Sequence, residues 1–188
     1  MPYPSPRSLA PAAALALLAA CVPGRAPDAE GGGAAPAAGA TATSVDSLVL
    51  EREPCFGFCP VYRLRLAADG RVRFESRQRG DSGRVETDSL DPARVRALVD
   101  SAARLGLADF PERLMGSPLC GRQATDMPTA TVVLHAPSAT TRVVDYHGCM
   151  PAEADSAAAR RVERLRAFEA MIDSVAGTAR WLRPPGGR

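Results

Sequence analysis

The stretch VYRLRLAADGRVRFESR (residues 61–77) decides the fold class of this chain. Before its centre, apolar side chains alternate with arginines: Tyr62, Leu64 and Leu66 against Arg63 and Arg65. A period of two is typical of a strand with one buried face. Asp69-Gly70 then marks a two-residue hairpin turn, after which Val72 and Phe74 resume the alternation. The stretch therefore predicts an antiparallel hairpin.

Similar patterns on either side of this hairpin predict further strands. Extended segments are expected at residues 47–52 and 83–87, and a second hairpin at 129–136 and 140–147 turns around Pro137-Ser138. Together with the first hairpin these segments give a mainly antiparallel sheet of about five to six strands. Such a sheet buries one face against other elements.

Two helices are predicted to cover that sheet. The first begins at Asp91-Pro92, a good N-cap and first-turn pair, and ends at Gly106. Its apolar stripe comprises Val95, Leu98, Val99, Ala102 and Leu105. The second is expected from about Ala152 to Ala176, with a stripe of Ala158, Val162, Leu165, Phe168, Ile172 and Val175. We therefore predict a single α+β domain with both helices packed on one face of the sheet.

The N-terminus predicts export and lipidation. Leu9–Ala20 is apolar but too short to span a membrane, as in a signal peptide, and it leads into the lipobox Leu18-Ala19-Ala20-Cys21. We predict a lipoprotein signal peptide at 1–20, lipidated Cys21 with a flexible Ala/Gly/Pro tether at 21–44, the domain at 45–183 and a tail at 184–188. An Asp directly after the lipidated Cys is the familiar signal for retention in the inner membrane, and this chain has Val22 at that position. The expected location is therefore the outer membrane, facing the periplasm.

Composition excludes several classes of function. All 23 basic residues are arginine, and residues 21–188 carry 22 of them against 21 acidic side chains. This near-neutral balance gives no electrostatic basis for binding nucleic acid. Without lysine the chain has no Walker-A lysine and no Schiff base, and no hydrolase motif is present. We predict no catalytic residues and no cofactor.

The segment Cys55-Phe56-Gly57-Phe58-Cys59-Pro60, with Tyr62 two residues on, is the most specific motif. It resembles a bacterial envelope family known as domain of unknown function 6438. The other matching pieces are Thr125-Asp126-Met127-Pro128-Thr129, Asp145-Tyr146-His147-Gly148, the run Ala167–Asp173 and Trp181-Leu182. The resemblance covers residues 47–182 and implies an envelope location and a single domain, but no activity. Its motif residues give a candidate functional surface of Phe56, Gly57, Pro60, Tyr62, Asp126, Asp145 and Tyr146.

Cys55 and Cys59 permit two interpretations. Outside the cytoplasm, thiols four residues apart are expected to form a local disulfide, because such a step fits the Cα separation that a disulfide needs. The alternative is a thiol-redox or Cu(I) site, because Cys-x-x-x-Cys-Pro is also the copper motif of the Sco-type assembly factors. Its ligands would be Cys55, Cys59, His135 and His147. A strand rather than a helix follows the motif here, which favours the disulfide.

A second disulfide, between Cys120 and Cys149, follows from how this chain departs from the family pattern. The resemblance implies that these two positions are not usually cysteine in the family. Two such unusual cysteines in one chain are most simply explained if they are bonded to each other. The ends of a hairpin come together, so the geometry permits the bond. A four-cysteine zinc site is the alternative, but the spacing does not match one.

Asp145 and His147 lie two apart on a predicted strand and so share a face, where they could form an orienting pair. No nucleophile accompanies them, and a solvated strand face or a hydrogen bond to a loop is the simpler interpretation. Asp126, between Thr125 and Pro128, is expected to form a turn. The sequence thus favours a lipid-anchored, non-catalytic binding or structural domain, whose partners are the membrane, through its anchor, and an envelope protein or cell-wall component.

Overall fold

The computed structural model describes residues 44–182. The predicted signal peptide, Cys21, nearly all of the predicted tether and the predicted tail lie outside this range. Within it no helix is long and apolar enough to cross a membrane.

The described chain forms one large antiparallel sheet, as predicted, with two helices. Its six strands are β1 (Ser47–Arg52), β2 (Tyr62–Ala67), β3 (Arg71–Ser76), β4 (Val85–Ser89), β6 (Thr129–His135) and β7 (Thr140–Tyr146). They are arranged in the order β4-β3-β2-β1-β6-β7. A small second sheet pairs β5 (Arg122–Gln123) with β8 (Cys149–Met150). β1 is therefore central, between the two hairpins that the sequence predicted.

The predicted α+β class is correct because both helices bury their apolar stripes against the same face of the sheet. α1 (Pro92–Leu105) and α2 (Ser156–Ala176) share one core with the alternate strand residues. The fully buried members include Leu48, Leu50, Leu64, Leu66, Phe74, Leu98, Leu165 and Ile172. Each side chain of this size contributes about 1.5–3 kcal/mol when buried. The core lies between the inner face of the sheet and the two helices.

α1 has the predicted bounds because its caps are strong. The Asp91 carboxylate accepts a hydrogen bond from the Ala93 N–H at 2.8 Å, and Pro92 occupies the first turn. The helix ends at Gly106, which has a left-handed φ of 69° and donates its N–H to the Ala102 and Ala103 carbonyls. Sequence and structure agree here because the cap residues carry local information.

The predicted start of the second helix, at about Ala152, is wrong. α2 begins at Ser156, where the side chain of Asp155 accepts the Ala158 N–H at 2.8 Å. Cys149 and Met150 are still paired in β8, so the chain needs the intervening residues to turn away from the sheet. The fourth strand is also shifted, to 85–89 instead of 83–87, because the turns around Gly80 and Gly83 delay its pairing with β3.

Candidate functional site

A row of inner-face residues crosses the sheet where β1 ends, and the functional side chains lie along it. Arg52 pairs with Tyr62 on one side and with Ala130 on the other, and Ala130 pairs with Asp145. Ala130 is fully buried, and its small side chain leaves room for longer neighbours. The row faces α2, and polar residues of β1, β2 and the end of β7 form a single charged cluster with that helix. Its members are Arg52, Tyr62, Asp145, His147, Arg166, Glu169 and Asp173.

Arg52 joins the two acids of α2. Its Nη1 donates to Glu169 Oε2 at 2.8 Å, and its Nη2 donates to Asp173 Oδ2 at 2.9 Å. The other oxygen of Asp173 accepts hydrogen bonds from the hydroxyls of Tyr62 and Thr178. Glu169 and Asp173 are four residues apart and so project from the same side of the helix. Every oxygen of Asp173 therefore has a donor.

The cluster shifts the ionisation of two of its members. Burial alone would lower the pKa of Arg52, but the carboxylates of Glu169 and Asp173 raise it above its ordinary value. Burial and the neighbouring Asp173 carboxylate raise the pKa of the Tyr62 phenol above its ordinary value of 10.0. Arg52 therefore stays charged and Tyr62 stays neutral throughout the physiological range.

Asp145 is held by the second arginine of the cluster. Arg166 Nε and Nη2 donate to Asp145 Oδ2 and Oδ1 at 2.9 and 3.2 Å, and Nη2 also donates to the Cys149 carbonyl at 3.0 Å. Asp145 is fully buried. The interpretation of this position as a solvated strand face is therefore wrong, because α2 covers the inner face at β7. The predicted shared face of Asp145 and His147 is correct.

His147 connects the two halves of the cluster. Its Nε2 lies 2.9 Å from Glu169 Oε2 and 3.7 Å from Asp145 Oδ2. Its side chain is 23% exposed, whereas those of Glu169 and Asp145 are 1% and 0% exposed. Glu169 Oε1 is buried and has no hydrogen-bond partner among residues 44–182. This is the one oxygen of the cluster's three carboxylates that is both buried and unpaired.

The second feature of this end of the domain is the aromatic loop, residues 55–59. Cys55 and Cys59 form the predicted disulfide, with a Cα separation of 5.6 Å. The Phe56 N–H donates to the Asp126 carbonyl at 3.1 Å, and Asp126 has a left-handed φ of 67° that suits its predicted turn. The side chains of Phe56 and Phe58 are nevertheless 90% and 82% exposed.

A cavity of about 340 Å³ opens beside the aromatic loop. Cys59, Pro60, Pro128 and Leu182 line it together with Arg52, Tyr62 and Asp173 of the charged cluster. It is thus mainly apolar with a few polar groups, the composition typical of a ligand site. The aromatic loop, the cavity and the charged cluster are contiguous.

Comparison with known families agrees with the sequence resemblance. Residues 46–166 match the model of the family described as Domain of unknown function (DUF6438). The chain belongs to the DUF6438 family. No curated protein matches it. The matched DUF6438 region includes Arg52, Tyr62, Asp145, His147 and Arg166, whereas Glu169 and Asp173 lie after it.

The DUF6438 domain brings most of the candidate surface to one end of the sheet. Phe56, Gly57, Pro60 and Asp126 lie in or beside the aromatic loop, and Tyr62 and Asp145 belong to the charged cluster. Tyr146 has a separate role: its hydroxyl donates to the Ala124 carbonyl at 2.8 Å and accepts the Met127 N–H at 3.3 Å. It therefore braces the segment that supports the aromatic loop.

The ligands of the copper alternative are not brought together. His135 pairs with Ser47 at the start of β1, whereas the aromatic loop follows the end of that strand. At about 3.3 Å per residue, the length of β1 separates the two ends by roughly 16 Å. His147 is at the same end as the loop but contacts Glu169.

Cys120 and Cys149 form the second predicted disulfide, with a Cα separation of 4.9 Å.

Sequence reasoning did not assign Arg52, Arg166, Glu169 or Asp173 to the site, although the run Ala167–Asp173 contains the last two. A signal was present for Arg52, which continues the inward alternation of Leu48 and Leu50. Glu169 and Asp173 each follow an apolar stripe residue, Phe168 and Ile172, and repeat at the helical spacing of four. Charged residues in phase with a buried stripe indicate a buried ion pair.

Proposed function

We propose that this DUF6438 protein is a lipid-anchored envelope protein whose domain is a non-catalytic binding module. In this proposal the aromatic loop is the surface that contacts a protein partner. The observation that carries the proposal is the exposure of Phe56 and Phe58, 90% and 82%, on a loop closed by a disulfide. Two exposed aromatic rings only two residues apart are unusual for a surface without a partner.

The energetics of the aromatic loop support a binding role. Burying two phenylalanine side chains contributes roughly 3–6 kcal/mol. The disulfide and the hydrogen bond from Phe56 to Asp126 already restrict the loop, so little conformational entropy remains to be lost on binding. Met127, next to Asp126, is 43% exposed and extends the apolar surface. The adjoining cavity offers space for a partner side chain.

The aromatic loop lies at the end of the sheet opposite the point where the chain enters the domain. The predicted tether leads into β1 at Ser47, and the aromatic loop follows β1 at its other end. If Cys21 carries the lipid, the chain enters the domain at the end of the sheet opposite Phe56 and Phe58. The predicted flexible tether of residues 21–44 would leave this loop free to contact a protein partner.

Photo-crosslinking in intact cells tests the binding role. A photoreactive amino acid at position 56 or 58 is expected to yield a defined adduct with an envelope protein. Ser138 is the matched control, because it is exposed in the β6–β7 turn at the opposite end of the sheet. The adduct formed from position 56 should disappear in a Phe58→Ser background. Equal labelling from position 138, or no adduct from either loop position, would contradict the proposal.

The lipid anchor has its own test, whose outcome is independent of the loop. Cys21→Ser is expected to remove labelling by radioactive palmitate and to move the protein from the detergent phase to the aqueous phase or leave it uncleaved. Cys120→Ser is the matched control and should keep its label. A Cys21→Ser protein that is still labelled and membrane-bound would show that the anchor is elsewhere.

A thiol-redox protein is the second candidate. Both cysteines of the aromatic loop are half-buried rather than enclosed, so a reductant can reach the disulfide. This candidate predicts reversible reduction under conditions that leave Cys120–Cys149, whose Cys149 is fully buried, intact. Differential alkylation during a titration with glutathione distinguishes it from the binding module, in which both bonds stay oxidised.

A further inference from the structure

We propose that Asp145, His147 and Glu169 form a binding site for a divalent transition-metal ion, with Zn²⁺ as the best match. The site is distinct from the aromatic loop, and it goes beyond the binding role proposed above. One imidazole nitrogen and two carboxylates are ligands that Zn²⁺ accepts. Three protein ligands leave a fourth position for water or another small ligand, the arrangement of an open zinc site.

The distances within the triad fit a metal centre. One ligand atom from each residue lies within 4.8 Å of the other two. With bonds of 2.0–2.1 Å in tetrahedral geometry, neighbouring ligand atoms of Zn²⁺ are about 3.3 Å apart. The separations from His147 Nε2 to Glu169 Oε2 and to Asp145 Oδ2, 2.9 and 3.7 Å, lie on either side of that value. Small side-chain adjustments therefore suffice to bind the ion.

The unpaired oxygen of Glu169 is an independent sign of a ligand. Glu169 is 1% exposed, and its Oε1 has no hydrogen-bond partner among the described residues. A buried acceptor without a donor costs about 1–3 kcal/mol. A metal ion bound between the two carboxylate oxygens, or at Oε1 itself, supplies the missing partner. A hydrogen bond from His147 to Oε2 leaves Oε1 unsatisfied.

The charges of the cluster also favour a cation. Three carboxylates, Asp145, Glu169 and Asp173, face two guanidiniums, Arg52 and Arg166. The formal charges of these five side chains sum to one negative charge.

The two arginines fit the role of outer-shell partners to the carboxylates. Arg166 holds both oxygens of Asp145, and Arg52 holds Glu169 from the side of Asp173. Outer-shell hydrogen bonds of this kind orient carboxylate ligands in metal sites. A carboxylate oxygen has enough lone pairs to accept a hydrogen bond from arginine and to bind a metal ion at the same time.

Access is possible from one side. The two carboxylates are buried, whereas the His147 side chain is 23% exposed. His147 is fixed by its backbone N–H, which donates to the Pro128 carbonyl at 2.9 Å. The imidazole side is therefore the side from which an ion would reach the site.

Calorimetric titration of the full chain with Zn²⁺ alone tests the proposal. The protein is purified in detergent without a histidine tag, stripped with chelator and kept oxidised, so that no thiol competes. We expect one Zn²⁺ per chain. Loss of an outer-shell partner typically weakens binding 10–100-fold, so His147→Asn should weaken it by more than about 100-fold. His135→Asn is the matched control and should bind like the wild type.

A second variant keeps the test decisive if His147→Asn folds poorly. Glu169→Gln retains the size of the side chain and should abolish the increase in melting temperature that Zn²⁺ gives the wild type. Circular dichroism establishes that each variant is folded. No saturable binding to the wild type, or equal Zn²⁺ affinity in wild type and folded His147→Asn or Glu169→Gln, would overturn the proposal.

Discussion

Arg52 and Asp173 join the end of the central strand to the last helix, with Nε and Nη2 of Arg52 donating to the same oxygen, Asp173 Oδ2, at 3.3 and 2.9 Å. The contact spans 121 residues of chain. It closes the charged cluster on the side of the cavity, and it positions α2 over the row that crosses the sheet. Arg52 therefore stabilises the packing of α2 on the sheet, although it lies at the end of a strand.

We predict that Arg52→Met destabilises the fold by about 3 kcal/mol or more. Methionine preserves most of the packing of the arginine stem, but Glu169 loses a charged partner while it stays buried, and breaking such a pair by removing one partner is strongly destabilising. Urea unfolding of the signal-less chain, residues 22–188, measures the change. The control is Arg63→Met: Arg63 is 41% exposed and bridges Glu51 at 3.3 Å on the outer face. We expect less than about 1 kcal/mol there. Similar losses in both variants would contradict the prediction.

Tyr62 should ionise later than an ordinary tyrosine. Its phenol donates to Asp173 from a buried position, and burial and the carboxylate raise its pKa above 10.0. Because the folded-state pKa is raised, the stabilisation is complete below about pH 10 and is lost as the pH rises from there through the folded-state pKa. Absorbance at 295 nm follows the two tyrosines of residues 22–188, Tyr62 and Tyr146. We expect the absorbance change that Tyr62→Phe removes to lie well above pH 10. If the change that the variant removes is centred near pH 10, the prediction is wrong.

Replacing Cys55 and Cys59 together by serine should lower stability by about 2 kcal/mol, the loop entropy of so short a ring. Thermal unfolding of the double variant beside the wild type measures the loss. Cu(I) should not change the melting temperature of the reduced wild type. Stoichiometric Cu(I) binding that is lost in His135 or His147 variants would instead support the copper alternative.

How far the sequence predicts the fold depends on whether its signals are local. The first hairpin and the bounds of α1 follow from turn and cap residues, and both are correct. The predicted two-residue turn at Asp69-Gly70 is one residue too short, because Leu66 lies opposite Val72 and Ala68 therefore belongs to the turn as well. The start of α2 and the β5–β8 pair depend on Cys149, which is held by residues distant in sequence. The local apolar pattern therefore places the start of the helix too early and does not predict the strand pair.

The charged cluster follows the same principle. Its members come from three strands, the residue that follows β7 and one helix. Arg52 meets Glu169 only because α2 crosses the row from Tyr62 to Asp145. Alternation indicates that Arg52 points inward, but it does not identify the partner. The aromatic loop, by contrast, is a continuous motif, and the sequence found it.

The disulfide between Cys120 and Cys149 should be the stronger of the two covalent supports. It closes a ring across 29 residues, which by loop entropy contributes about 3.5 kcal/mol, against about 2 kcal/mol for the ring of the aromatic loop. Cys149 is fully buried and its carbonyl accepts from Arg166, so the bond also positions one arginine of the charged cluster. We therefore expect Cys120→Ser/Cys149→Ser to lose more stability in urea unfolding than Cys55→Ser/Cys59→Ser. Non-reducing peptide mapping of the wild type provides the control for the pairing: a peptide that links Cys55 or Cys59 to Cys120 or Cys149, or free thiols at both later positions, would show that the pairing is wrong.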